Sequence, residues 1–138
     1  MVKKTLAIAF SVTLIFFLWV ANSKPLFDGY ANTFEIYQKD NSSSAQIIKV
    51  EKENLWLYPL RYGEACVVKK EGFDKAEFFL SFNATLIMTE EIDTGVNYYA
   101  YSPKVKYCKE INGKKVNLHL FVGEQEVKMG SPLIFGSY

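Results

Sequence analysis

An uncharged apolar run near the start of the chain constrains its fold more than any other feature. Met1-Val2-Lys3-Lys4 gives a short basic start, and no further charge occurs before Lys24. Residues 6–21 form a stretch of 16 residues interrupted only by Ser11 and Thr13. As a helix this stretch spans about 24 Å at about 1.5 Å per residue, against a hydrocarbon core about 30 Å thick. A basic flank followed by such a run is the pattern of an export signal or a membrane anchor. The run is slightly short for an anchor and slightly long for the apolar part of a cleaved signal. Ala21 and Ser23 are small and sit at the −3 and −1 positions of a cleavage site before Lys24. Phe16-Phe17-Leu18-Trp19-Val20 is bulky almost up to that site, and Trp19 suits a membrane interface. Both readings place the rest of the chain outside the cytoplasm, secreted or held at a membrane face. In the anchored reading the membrane itself is a partner.

The segments are then 1–23 as signal or anchor, 24–33 as a tether containing Pro25, Gly29 and Asn32, and 34–138 as one domain. Beyond Ser23 there are 14 Lys and Arg against 15 Asp and Glu, a net −1. Nucleic-acid binders carry a strong basic bias, so no nucleic-acid partner is expected.

Past the tether the periodicity changes to that of strands. Residues 33–39 alternate, with Phe34 and Ile36 on one side and Glu35 and Tyr37 on the other. The polar cluster Asp40-Asn41-Ser42-Ser43-Ser44 turns this strand into a partner at 46–50, as a hairpin. Leu55-Trp56-Leu57-Tyr58 reads as a short extended piece ended by Pro59, and 63–70 as a further strand. One helix stands out at about 75–83. Asp74 is its N-cap, Glu77 completes a capping box, Phe73 and Phe78 fit a hydrophobic staple, and Asn83 is its stop. Residues 84–90 and 96–101 pair across Asp93-Thr94-Gly95, and 105–111 turns at Asn112-Gly113, a strong hairpin signal. In 116–122, Val116, Leu118, Leu120 and Val122 face one way and Asn117, His119 and Phe121 the other. A last strand at 126–129 leads to Gly130-Ser131-Pro132 and the tail. The expected fold is α+β: an antiparallel sheet of about 6–8 strands with one main helix, preceded by the N-terminal hydrophobic helix.

Chemistry-bearing residues are few. Cys66 and Cys108 are the only cysteines and lie 42 residues apart (108 − 66). In an oxidising compartment they are a disulfide candidate worth about 3–4 kcal/mol on the chain-entropy model; the other reading is two free thiols. His119 is the single histidine, so a cysteine-dependent hydrolase or transpeptidase would need it as base, with Cys66 or Cys108 as nucleophile and Arg61 polarising the substrate. The residues around Cys66 lack the Thr-Leu-x-Thr-Cys pattern of exported cysteine transpeptidases. The Cys and His spacings match no metal motif, and neither a Gly-x-Gly-x-x-Gly nor a Walker loop occurs, so no metal or cofactor is expected. Glu90-Glu91 beside Asp93 fits a solvated strand end. Tyr98-Tyr99-Ala100-Tyr101 is the best contact candidate. Strand alternation sends Tyr99 and Tyr101 to the face opposite Tyr98, beside His119 and Phe121. That four-residue surface would suit an envelope protein or a glycan. The function expected is therefore non-enzymatic, with the Cys/His hydrolase or transpeptidase as the alternative.

Three stretches carry a resemblance: Tyr98-Tyr99-Ala100-Tyr101-Ser102-Pro103, Gly113-Lys114-Lys115-Val116-Asn117-Leu118 and Gly130-Ser131-Pro132-Leu133-Ile134. They are similar to the end of the YwmB-type exported proteins of low-GC Gram-positive bacteria. The resemblance implies an exported domain similar in fold to the TATA-box-binding protein, and it implies no catalytic residues.

Overall fold

The protein is described here by a computed structural model covering residues 1–22, 24–39 and 46–136. The turn cluster 40–44 and the cleavage candidate Ser23 lie outside the described residues.

Helix α1 (Val2–Asn22) runs 21 residues. At about 1.5 Å per residue it is about 31 Å long, and its stretch Val2–Ala21 is apolar and long enough to cross a membrane, with none of it buried. The other elements in order are β1 (Thr33–Tyr37), β2 (Ile47–Glu51), a 3-10 helix (Lys52–Leu57), β3 (Gly63–Lys69), α2 (Lys75–Ser81), β4 (Thr85–Ile92), β5 (Gly95–Tyr101), β6 (Lys109–Ile111), β7 (Lys114–Val116), β8 (Leu118–Gly123) and β9 (Glu126–Ser131). Seven strands form one antiparallel sheet in the order β2-β1-β3-β9-β8-β5-β4, and β6 pairs with β7 as a separate hairpin. The expected α+β class holds.

Local chemistry accounts for the element ends. The Asp74 carboxylate accepts from the backbone N–H groups of Ala76 and Glu77, at 2.8 and 3.1 Å, which caps α2. At the other end Asn83 adopts φ 49°, its N–H donates to the Leu80 carbonyl, and Ala84 N–H donates to that of Phe79. This Schellman closure stops the helix two residues before the expected boundary. The Asn112-Gly113 turn has φ 51° and 76°, as a tight hairpin connection requires.

The core lies between one face of the sheet and a layer of aromatic rings. Phe34, Ile36, Cys66, Leu118, Leu120, Val127 and Met129 meet Phe27, Phe78 and Phe82 there. Phe27 stacks on Phe78 at 6.3 Å and meets Phe82 edge-on at 5.9 Å. Residues 24–33 are therefore not a free tether. Phe27 is fully buried, and the apolar gain from a buried Phe, about 1.5–3 kcal/mol, holds this segment against α2.

Two further expectations change. Leu55-Trp56-Leu57 is a 3-10 turn rather than an extended piece, because Leu55 alone points into the core. The segment 105–108 is not a strand. The Asn117 side chain donates to the carbonyls of Ser102 (2.7 Å) and Val105 (3.1 Å) and accepts from Ser102 N–H (2.7 Å). Those backbone groups are thereby taken from the ladder, and the expected continuous strand 116–122 is split between β7 and β8 at Asn117.

Candidate functional site

The second face of the sheet carries every residue expected to bind. Tyr98 turns toward α2, with its ring 6.3 Å from Phe79 and Lys75 Nζ 4.0 Å above it. Alternation then puts Asn97, Tyr99 and Tyr101 on the opposite face, where Tyr99 pairs with His119 and Asn97 with Phe121 on β8. All four candidates share this face, but not one environment. Tyr99 and Tyr101 are half-buried, whereas His119 and Phe121 are buried. An open face bearing all four is therefore corrected to a covered centre with a tyrosine rim.

The cover at His119 is the chain's own tail. After the cis Ser131–Pro132 bond, residues 132–136 run back across the sheet. Ile134 N–H donates to His119 Nδ1 at 3.0 Å, and Phe135 N–H donates to the Tyr37 hydroxyl oxygen at 3.1 Å. The Phe135 ring lies 4.6 Å from that of Tyr37, forming a small second core with Ala65. Two glycines admit the strap. A Cβ at Gly130 would stand 2.8 Å from Ile134 Cγ1, and one at Gly63 would stand 2.2 Å from the Ser131 carbonyl oxygen. Phe121 is covered from below in a similar way, since a Cβ at Gly95 would meet its ring at 2.9 Å.

Because Nδ1 of His119 accepts from a backbone N–H, the ring proton sits on Nε2 and is donated to Asn97 Oδ1 at 2.9 Å. Asn97 passes the polarity on by donating from Nδ2 to Glu90 Oε2 at 3.3 Å, and the Tyr99 hydroxyl donates to the same oxygen at 3.2 Å. The Tyr99 ring lies over the imidazole at 4.3 Å. Burial, and secondarily the nearby Lys128 ammonium, push the His119 pKa down to about 3. Lys128 itself pairs with Glu35 at 3.0 Å. A neutral imidazole with both nitrogens engaged is a structural element of this face and a poor general base at neutral pH.

The cysteines are separated from it. Cys66 pairs with Met129 in the ladder, Met129 with Leu120, and these three face the main core while His119 faces the strap. Burial first, then the carboxylates of Glu64 and Glu35, push the Cys66 thiol up to about 12. Cys108 is exposed at the base of the β6–β7 hairpin, and both cysteines are free, so of the two readings the structure has free thiols and the candidate disulfide is not formed. One thiol is sealed in the core and the other is at the surface. Arg61 is buried at the sheet's other end, donating to the carbonyls of Tyr58 (3.0 Å) and Lys24 (2.8 Å), with Nε 3.8 Å from Glu64 Oε2. Burial raises the Glu64 pKa against the opposing pull of Arg61. Among the described residues no group of three metal-ligating side chains gathers.

The geometry thus defines an antiparallel α+β domain carried on an apolar helix, with its histidine and one cysteine in packing roles. No family model, curated protein or solved structure matches the chain. Sequence reasoning missed the strap, since nothing in Leu133-Ile134-Phe135 shows which face they cover. The available signal was a glycine on each of two adjacent strands, Gly63 on β3 and Gly130 on β9, where the strap leaves no room for a side chain.

Proposed function

We propose that the chain is a non-enzymatic extracytoplasmic domain that keeps α1 as a membrane anchor and presents the Tyr99–Tyr101 rim to an envelope protein or glycan. The observation that carries the anchored form is the junction between helix and domain. Trp19 Nε1, within the segment that cleavage would remove, donates to the Trp56 carbonyl oxygen at 2.7 Å; just past the cleavage position Arg61 and Glu64 fix Lys24 and Leu26, so the chain enters the domain directly from the helix. A signal destined for removal has no need of contacts to the domain it leaves. Lys3 and Lys4 favour a cytoplasmic N-terminus, which puts the domain on the far side. The resemblance of residues 98–134 to YwmB-type exported proteins points the same way.

The rim is the half-buried part of the second face, beside the covered centre. On β4, the edge strand, Tyr99 pairs with Met88 and donates to Glu90, and Tyr101 pairs with Thr85; aromatic rings with adjacent hydrogen-bonding groups suit both protein and sugar contacts. The cysteine-hydrolase alternative has less support: Cys66 lies on the face opposite His119, and Cys108 is exposed while His119 is buried with both ring nitrogens engaged by Asn97 and Ile134.

A photo-crosslinking side chain placed at Tyr101 in cells, with the same group at Glu77 on α2 as control, tests the rim. Adducts to protein or glycan at Tyr101 and not at Glu77 are expected. Equal labelling from the two positions, or none from Tyr101, contradicts the reading.

A further inference from the structure

Beside the C-terminal end of α1 the domain exposes a compact apolar group on the 3-10 helix and the loop after it. Leu60 is 90% exposed, and Trp56, Leu57 and Tyr62 are each about half exposed, at 50%, 51% and 53%. In water such a cluster is unfavourable, and contiguous apolar patches of this kind mark interaction sites. Its position relative to α1 identifies what covers it. Pro59 and Leu60 form one cleft with Ile15, Leu18 and Trp19 of the helix. Ile15 precedes Trp19 by four residues, which is about 6 Å along a helix axis at about 1.5 Å per residue. If Trp19 sits at the interface, where its amphipathic indole is favoured, the level of Ile15 and Leu60 is already within the acyl chains.

The domain cannot swing this group away without breaking the junction. Trp19 is bonded to the Trp56 backbone, and the connection from Ala21 to the buried Phe27 is short and pinned at Lys24 and Leu26. The rim of the same end is basic. Lys24, Lys104 and Lys106 line the cleft beside Arg61, and Lys39 lines the neighbouring one. Lys24 and Lys106 at this level can bury their stems and extend their ammonium groups to lipid phosphates, whereas the Lys104 ammonium is held by the Ser81 carbonyl at 3.0 Å.

We infer that residues 56–62 are a second membrane contact: Trp56, Leu57 and Leu60 enter the leaflet at which α1 ends, with Lys24 and Lys106 at headgroup level. The domain therefore lies on the bilayer in a fixed orientation rather than hanging from a flexible stalk. This rests on α1 being a retained anchor, and the test separates the two claims.

Trp19 and Trp56 are the only two tryptophans, so Trp19→Phe and Trp56→Phe each leave one reporter. The full chain is reconstituted in phosphatidylcholine–phosphatidylglycerol vesicles containing lipids brominated near the top of the acyl chain. The inference predicts that the emission of Trp56 alone is quenched to a degree similar to that of Trp19 alone. It also predicts that Leu60→Asp in the Trp19→Phe background weakens that quenching. In the unmodified chain, which keeps the Trp19–Trp56 bond, iodide in the water should quench neither indole. Quenching of Trp19 with Trp56 left open to iodide overturns the second contact and leaves the anchor standing. Absence of lipid quenching at both positions overturns the anchor and the inference together.

Discussion

The covered histidine makes stability depend on pH in a calculable way. His119 is 2% exposed and its pKa is pushed down to about 3, against an ordinary value of 6.5. Between those values the unfolded chain binds a proton at this position that the folded chain does not. Unfolding is then favoured as pH falls, and the stability present above pH 6.5 is lost progressively below it. One pKa unit is about 1.36 kcal/mol, so at pH 5 the loss relative to pH 8 is about 2 kcal/mol, rising to about 4 kcal/mol at pH 3. The groups facing the ring are Asn97, Tyr99, the Lys128 ammonium and the Ile134 N–H. Glu64 works against this slope. Its folded pKa is raised, so its contribution is fully present below its ordinary 4.5 and lost as pH rises through the folded value. The histidine's share is therefore read as a difference between wild type and His119→Gln. Glutamine can still donate toward Asn97 but leaves the buried Ile134 N–H without its acceptor, costing about 1–3 kcal/mol at neutral pH. The assay is urea unfolding of the full chain in detergent micelles, followed by tyrosine near-UV circular dichroism at pH 8 and pH 5. Wild type should lose about 2 kcal/mol more than His119→Gln over that interval. Equal losses in the two proteins would refute the buried, neutral histidine.

Other consequences of the packing are as specific. Gly63→Ala puts a methyl group 2.2 Å from the Ser131 carbonyl and should cost about 3 kcal/mol or more in the same unfolding assay, since backbone has to move. Phe27→Ala removes a ring packed on Phe78 and Phe82 and should cost about 3–5 kcal/mol; a loss under about 1 kcal/mol would restore residues 24–33 to a loose tether. With a thiol-reactive chromophore at neutral pH, Cys108 should react at once and Cys66 only on unfolding, because the Cys66 thiol is buried and pushed up to about 12. Intact mass before and after reduction should show no internal disulfide.

Where local chemistry decides, the sequence was a sufficient guide. Asp74 and Asn83 bracket α2, Asn112-Gly113 makes its turn, and the alternation of Leu118 and Leu120 against His119 and Phe121 is seen in β8. The facing of Tyr99 and Tyr101 followed from the same period. What alternation cannot tell is whether a face with polar members is wet. Here His119 and Asn97 satisfy each other and the strap satisfies the remaining nitrogen, so a polar-looking face is closed. Asn117 misled for a related reason. Its side chain competes for backbone partners, which no periodicity registers. Phe27 was hidden among Pro25, Gly29 and Asn32, whose turn chemistry describes the path of the backbone and not the burial of the ring it carries. The two cysteines had equal standing as letters; only the register of β3 on β9 shows that one of them faces the core.

The central claim is that helix and domain form one retained unit at the membrane. Mass spectrometry of the native N-terminus from the membrane fraction tests it most directly. A mature chain that still carries α1 is expected. A native chain beginning at Lys24, cut after Ser23, would contradict it.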